Sequence, residues 1–208
     1  MDGTQTKERR RLGAALVVLV LAVSALVIGM TDALFTDTES VTGNTFTTGT
    51  VDISATPSSA VLTASTMAPG DLVENSLTVA NDGSLELRYA IQKSATNVDS
   101  KNLRDALGLR IAVRGGGACN FPYYTTAGSP TSIDDDTEIY VGTGFPDSPA
   151  NTVGDVAQGS QTGDRTLAAA ANEVLCFSVV LPLSAGNSLQ SASTTATFDF
   201  VAEQTANN

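Results

Sequence analysis

The sequence contains no histidine among its 208 residues. This absence excludes the His-Glu-x-x-His metal helix, any Ser/His/Asp or Cys/His arrangement, and the commonest general base of enzymes. The glycine run Gly115–Gly117 is not followed by the Lys-Ser/Thr pair of a phosphate-binding loop. We see no other cofactor motif. The sequence therefore predicts a protein that is not an enzyme and that needs no cofactor.

Basic residues are scarce, since 11 Lys and Arg stand against 22 Asp and Glu. An acidic surface repels nucleic acid and anionic lipid headgroups, because binding to either depends on Lys and Arg. We therefore expect no nucleic-acid partner.

The N-terminus has the pattern of an export signal. Lys7 and Arg9–Arg11 precede an uncharged, apolar run from Leu12 to Met30, which matches the positive and hydrophobic regions of a signal peptide. Thr31 and Ala33 place small residues three and one positions before a cut at Leu34. We predict a signal peptide at residues 1–33 and a secreted or cell-surface product without a membrane anchor; a retained anchor is the alternative, because about 20 apolar residues span a bilayer.

The removal of residues 1–33 would leave one domain of ordinary size with 7 Lys and Arg against 19 Asp and Glu. Its two cysteines, Cys119 and Cys176, would then reach an oxidising compartment. We predict one disulfide between them. Two buried thiols are the alternative, and two cysteines without histidine fall short of a structural zinc site.

A run of acidic residues lies at Asp134, Asp135, Asp136 and Glu138. Alternating carboxylates in a loop suit Ca²⁺, which takes six to eight oxygen ligands. The run lacks the Gly and Glu positions of an EF-hand loop. We interpret it as a hydrated charge run, neither a metal site nor a catalytic carboxylate pair, and assign no metal ligands.

Along most of the chain, apolar residues alternate with polar ones and turn residues interrupt them at short intervals, which is typical of strands. Turns are predicted at Ala68–Asp71 and at Asn81–Ser84, where Asp-Gly favours a hairpin between the flanking strands. A short helix is predicted at Lys101–Leu107, capped by Asp99 or Ser100. The predicted strands are Thr45–Ala55, Ala60–Ser65, Leu72–Ala80, Leu85–Lys93, Leu109–Val113, Glu173–Leu181 and Ser193–Ala202.

The region from Arg114 to about Asp164 is rich in Gly, Pro, Asp, Ser and Thr, which predicts a long loop insertion. Many short strands without long helices indicate an all-β fold, and we expect a jelly-roll-like antiparallel β-sandwich over residues 45–208.

Two stretches resemble the TasA/camelysin family of exported proteins. The first comprises Leu34–Asp37 and Asn44–Ile53, and the second comprises Met67–Asp71 and Val79–Leu85. The resemblance implies a jelly-roll domain, a dedicated signal peptidase, and assembly into biofilm-matrix fibres or surface pili. It also raises metallopeptidase activity as a less favoured alternative, because camelysin-like members have been described so. The chain departs from the family in its cysteine pair and in residues 114–164.

Strand addition is the assembly mechanism that fits this resemblance. A vacant strand position at a sheet edge accepts an extended segment from a neighbour, and such head-to-tail contacts propagate as a filament of one protein. The candidate donor is Leu34–Asn44, with Phe35 and Val41 as anchors. The alternative for this segment is a frayed terminus or a strand of its own sheet. The alternative function is a monomeric adhesion module whose long loop binds a ligand.

Overall fold

In a computed structural model of the chain, the described residues are 3–28, 43, 45–116, 118–119 and 136–207. Residues 1–46 and 47–208 form separate units. The first unit contains the helix α1, Gly3–Ile28, which coincides with most of the predicted signal peptide. Within the part of the chain whose side chains are described, no helix is both long and apolar enough to cross a membrane.

The second unit is an all-β sandwich of two antiparallel sheets, as the sequence predicted. The strands are β1 Ile53–Thr56, β2 Leu72–Asn81, β3 Leu87–Ala95, β4 Gly108–Val113, β5 Thr137–Thr143, β6 Ala150–Val153, β7 Arg165–Leu167, β8 Asn172–Val180 and β9 Ala196–Gln204. The first sheet has the order β1-β2-β8-β4-β5. In the second sheet, β3 pairs with β9 on one edge, while β6 and β7 share the other edge.

The core lies between the two sheets, because alternate residues of the long strands point inward. The first sheet contributes Leu77, Ile111 and Phe177, and the second contributes Leu87 and Ile91, all of them buried. Two aromatic residues of β9 close one side of this core: the ring of Phe198 packs 4.9 Å from that of Phe177, and Phe200 packs on Tyr89.

Several predicted elements are confirmed. The turn at Ala68–Asp71 is present, with a hydrogen bond from the amide of Asp71 to the carbonyl of Ala68. Gly70 has a φ of 99°, which a glycine adopts without strain. The predicted strands Leu72–Ala80, Leu109–Val113 and Glu173–Leu181 match β2, β4 and β8 to within one residue, and Ser193–Ala202 overlaps β9.

The predicted hairpin at Asn81–Ser84 is wrong, because β2 and β3 lie in different sheets. The Asp-Gly turn forms an arch that carries the chain across the sandwich. The predicted strand Thr45–Ala55 is wrong for most of its length, because strand pairing starts only at Ile53. Residues 49–52 bond to the arch instead. Ala60–Ser65 forms no strand, although Val61 is buried.

The predicted helix is shorter than expected, since α2 spans only Leu103–Ala106 after Asn102. The side chain of Asp99 accepts hydrogen bonds from the amides of Lys101 and Ser193 rather than capping α2. The interpretation of residues 114–164 as one loop is wrong where β5 pairs with β4 and β6 pairs with β3. These short segments pair with strands of their own sheets, which their composition does not indicate.

Candidate assembly site

The predicted cleavage and donor residues lie outside the described residues. They are Thr31, Ala33, Leu34, Phe35 and Val41. Cleavage at Leu34 and donation of the following segment therefore stay predictions. Among the described residues, the candidate site begins at residues 49–52, just before β1.

The two sequence stretches that carry the family resemblance meet in space. The amides of Ser84 and Leu85 both donate to the carbonyl of Thr50 at 3.1 Å. The amide of Asp82 donates to the carbonyl of Asp52 at 2.9 Å, and the amide of Thr50 donates to the hydroxyl of Ser84 at 3.0 Å. Residues 49–52 are thereby fastened to the arch formed by residues 81–85. We call this contact the root, because the N-terminal segment leads directly into it.

Two glycines make the close approach within the root possible. A Cβ at Gly83 would lie 2.4 Å from the carbonyl oxygen of Thr50. A Cβ at Gly49 would lie 2.5 Å from the side chain of Leu85. Real Cβ atoms do not approach other atoms this closely. The neighbours of Gly83 are backbone atoms, so this position requires a residue without a side chain, whereas a Cβ at Gly49 would require the side chain of Leu85 to move.

Asn81 holds the arch from inside and is almost completely buried. Its amide nitrogen donates to the carbonyls of Leu85, Leu167 and Ala168, at 2.8 to 3.1 Å. Its amide oxygen accepts from the amide of Gly83 at 3.0 Å. A buried amide with this many partners stabilises one conformation of the arch, because any other arrangement leaves polar groups unpaired. Sequence reasoning had placed Asn81 only in a turn.

The chain on the N-terminal side of the root carries an unpacked aromatic residue. The side chain of Phe46 is 94% exposed. The other phenylalanines with described side chains, Phe145, Phe177, Phe198 and Phe200, are buried or partly buried. The exposed ring, three residues before Gly49 in the sequence, leaves apolar surface available to a partner. The sequence predicted Phe46 to lie on a strand over Thr45–Ala55, and pairing starts only at Ile53.

The predicted disulfide joins Cys119 to Cys176, with a Cα to Cα distance of 5.4 Å. Cys176 lies on β8 in the middle of the first sheet and is fully buried. The bridge thus ties the segment after β4 to a central strand, at a sequence separation of 57 residues.

Buried Tyr89 and partly buried Arg165 share one acidic partner, Glu173. The hydroxyl of Tyr89 donates to the Oε1 atom of Glu173 at 2.7 Å, and Arg165 forms an ion pair with the same carboxylate. Burial raises the pKa of Tyr89, and the hydrogen bond to Glu173 raises it further. The same carboxylate raises the pKa of Arg165. The hydrogen bond and the ion pair hold Tyr89, Glu173 and Arg165 together, and Tyr89 stays neutral in this cluster.

A sequence profile of the family described as camelysin metallo-endopeptidase matches residues 7–115, more than half of the chain. The chain belongs to the camelysin family. The camelysin match includes both halves of the root, and it stops before the disulfide and strands β5 to β9. No curated protein matches the chain.

The camelysin description names a metallopeptidase, which calls for metal ligands. The chain has no histidine, and both cysteines are in the disulfide. In the part of the chain that the structure describes, no three Cys, Asp or Glu side chains form a group that could hold a metal ion. The described side chains therefore do not fit a resident catalytic metal, and we derive no step through one.

The acidic run contributes two described carboxylates, and both have protein partners. Asp136 accepts a hydrogen bond from the amide of Gly115 at 2.8 Å. Glu138 pairs with the buried guanidinium of Arg110, which donates from Nε at 2.7 Å. Asp134 and Asp135 lie outside the described residues.

Proposed function

We propose that this camelysin-family protein is an exported structural subunit that assembles head-to-tail into extracellular fibres or pili by β-strand addition. The donor is Leu34–Asn44, released by a signal peptidase, and its anchors are Phe35 and Val41. The polymer is a biofilm-matrix or cell-surface element, and its partner is another copy of the same chain.

The observation that carries this proposal is the root with its exposed neighbour Phe46. Residues 49–52 are fixed to the arch by five hydrogen bonds between Thr50 or Asp52 and residues 82–85. Four residues before Thr50, the ring of Phe46 is 94% exposed. A segment that is attached to the sandwich at residues 49–52 and carries an exposed aromatic side chain suits a contact with a neighbouring subunit.

Open strand edges provide the complementary half of such a contact. Among the described residues, β5 and β9 each pair on one edge alone, and β1 pairs with only the last four residues of β2. Unpaired N–H and C=O groups at an edge favour the addition of another strand. A head-to-tail contact of this kind does not close on itself, so it grows into a filament.

The test compares a mature chain that begins at Leu34 with one that begins at Thr45, by size-exclusion chromatography and negative-stain microscopy. We expect filaments from the first and folded monomers from the second. Phe35→Ala should weaken filaments while leaving thermal unfolding of the monomer unchanged, because loss of a buried aromatic costs about 3–5 kcal/mol at the subunit contact. Thr36→Ala is the control, since an exposed threonine contributes little.

Two results would count against donation by this segment. If the Thr45 version polymerised as well as the Leu34 version, the contact between subunits would have to lie outside Leu34–Asn44. Unfolding of the Thr45 version would show that the segment belongs to its own domain.

The second candidate function is a monomeric adhesion module that binds a ligand. A cavity of about 140 Å³ favours it, at the outer face of the second sheet. Its lining includes Arg88 and Val201 of the sheet together with residues 155–158 and Asp164. Filaments that form without any added ligand would favour the structural subunit over this alternative.

A further inference from the structure

The two halves of the disulfide lie in different surroundings. Cys176 is fully buried on β8, which pairs with a strand on each edge. Its chain neighbours Leu175 and Phe177 belong to the core, so Cys176 points to the outer face of the first sheet. Cys119 is only partly buried, and the described residues around it, 114–116 and 118, contain no helix or strand. One half of the bridge is therefore shielded and the other is partly open to solvent.

The burial of Cys176 decides which half of the bridge a thiol from outside attacks. Thiol–disulfide exchange begins when a thiolate attacks one sulfur of a bridge and displaces the other. The attacking thiolate needs access to that sulfur, and Cys176 gives none, since Ala112 and Cys119 pack against it on the outer face. Attack at Cys119 is the route that leaves the sheet intact, and Cys176 is then the leaving group.

The segment that carries Cys119 is fastened to the sandwich by bonds that do not involve the bridge. The amide of Arg114 donates to the carbonyl of Val174 at 2.8 Å. The amide of Gly115 donates to a carboxylate oxygen of Asp136 at 2.8 Å. Only residues 116–118 separate this anchor from Cys119. An opened bridge thus leaves its two thiols close together, which favours closing it again without unfolding.

We propose that Cys119 is an exchange site through which a thiol–disulfide oxidoreductase closes and opens the bridge, and that Cys176 is the resolving residue. In closure, the thiolate of Cys119 attacks the disulfide of the oxidised partner, forms a mixed disulfide and releases one partner thiolate. The thiolate of Cys176 then attacks the sulfur of Cys119 and displaces the second partner thiolate. The chain loses two electrons and two protons, and the partner takes up both. Opening by a reduced partner is the reverse, and the site operates whether or not the chain forms fibres.

The single variants Cys119→Ala and Cys176→Ala test this assignment, and each is the matched control of the other because both lack the bridge. The folded variants are mixed with oxidised glutathione, and the mixed disulfide is followed by mass spectrometry. We expect the remaining thiol of Cys176→Ala to react at least about 100-fold faster than that of Cys119→Ala, because a fully buried thiol reacts only when the sheet opens. In urea the two rates should become similar. Equal rates in the folded variants overturn the assignment.

Partial reduction of the wild-type mature chain tests the same point without a substitution. The chain is exposed to reduced glutathione, quenched with acid, unfolded and alkylated with N-ethylmaleimide. In molecules that carry one glutathione, we expect it on Cys119 with maleimide on Cys176, and the reverse pattern at least about tenfold rarer. Glutathione in equal amounts on both cysteines, or mainly on Cys176, overturns the exchange site. This measurement decides the question even where the single variants do not fold.

A protein probe tests the class of partner. The probe is a thioredoxin-like oxidoreductase with a single active-site cysteine, activated as a mixed disulfide with thionitrobenzoate. We expect it to form a stable covalent complex with Cys176→Ala, which has no resolving thiol, and none with Cys119→Ala. If glutathione reacts with Cys176→Ala and the protein probe does not, the oxidoreductase is overturned as the partner.

Asp136→Ala tests the tether, because it removes the acceptor of the Gly115 amide. In a glutathione redox buffer, we expect the ratio of mixed disulfide on Cys119 to closed bridge to rise about fivefold, the factor that corresponds to one hydrogen bond of about 1 kcal/mol. Asp71→Ala is the matched control, since its carboxylate accepts from the amide of Ala68 at 2.7 Å in a turn outside this segment. An unchanged ratio for Asp136→Ala, or an equal rise in both variants, overturns the role of the tether.

Discussion

A methyl group at Gly83 would lie 2.4 Å from the carbonyl oxygen of Thr50, closer than a Cβ can approach. Gly83→Ala should therefore force the root apart and lower the free energy of unfolding by about 1–3 kcal/mol, the usual cost of overpacking. Urea denaturation of the Thr45 version measures this change. Gly116→Ala is the control, since a Cβ there meets nothing within 4 Å. Equal stability of the two variants would contradict the tight contact.

The disulfide between Cys119 and Cys176 should be present in the exported protein and contribute to its stability. Thiol titration of the unreduced, unfolded chain should find no free thiol. The double variant Cys119→Ala, Cys176→Ala should lose about 2–4 kcal/mol, because the bridge restricts the unfolded chain. Alanine is preferred over serine, since a hydroxyl at the fully buried position 176 adds a desolvation cost. Two titratable thiols would refute the bridge.

Stability should fall in alkaline solution through Tyr89, whose pKa is raised in the folded protein by burial and by Glu173. Below about pH 10, tyrosine is neutral in both states and contributes no pH dependence. Above it, the unfolded chain releases the proton while the folded chain keeps it, so unfolding becomes more favourable by about 1.4 kcal/mol per pH unit.

Tyr89→Phe removes this contribution. Urea denaturation at pH 9 to 11 should give a shallower decline for the variant than for the wild type. At neutral pH the variant should be less stable by about 1–3 kcal/mol, because Glu173 loses a hydrogen bond. Parallel curves for the two proteins in the alkaline range would show that Tyr89 does not titrate as described.

Export should produce a chain that begins within a residue or two of Leu34, because small residues at Thr31 and Ala33 fit the signal-peptidase pattern. N-terminal sequencing of secreted material tests this directly. An Ala33→Arg variant should block the cut, whereas Asp32→Asn, between the two small positions, should not. Recovery of the intact chain in membranes would contradict cleavage.

Strands with a clear alternating pattern and sharp ends were predictable from the sequence. Pro69-Gly70 fixed the start of β2 because proline presets φ and glycine accepts a φ of 99°. Glu173–Leu181 was correctly predicted to be a strand, and its end is marked by Pro182. The cysteine pair was predictable from count and compartment alone.

Long-range pairing was not predictable in the same way. Asp82-Gly83 predicts that the chain reverses its direction, but it does not determine whether the next strand lies in the same sheet or in the other one. The crossing depends on Asn81, whose partners Leu167 and Ala168 are more than 80 residues away. Likewise, β5 and β6 are short segments of ordinary loop composition, and only their partners β4 and β3 make them strands.

The candidate site was predictable in part. The sequence pointed to the two stretches that form the root, through their family resemblance. It could not show that they touch, since residues 49–52 alternate like a strand and pair instead with an arch. It also could not show that the side chain of Asn75 donates to the carbonyl of Val61, because this depends on where Val61 lies.

The order of the root and β1 along the chain has a mechanical consequence for a fibre. Tension on the N-terminal arm would enter the sandwich at Thr50 and pass into Ile53–Thr56, along the axis of β1. The hydrogen bonds between β1 and β2 lie perpendicular to that axis. A pull in this direction loads the four residue pairs together in shear, whereas a pull across the strand would open them one after another. The fibre would therefore resist stretching better than peeling.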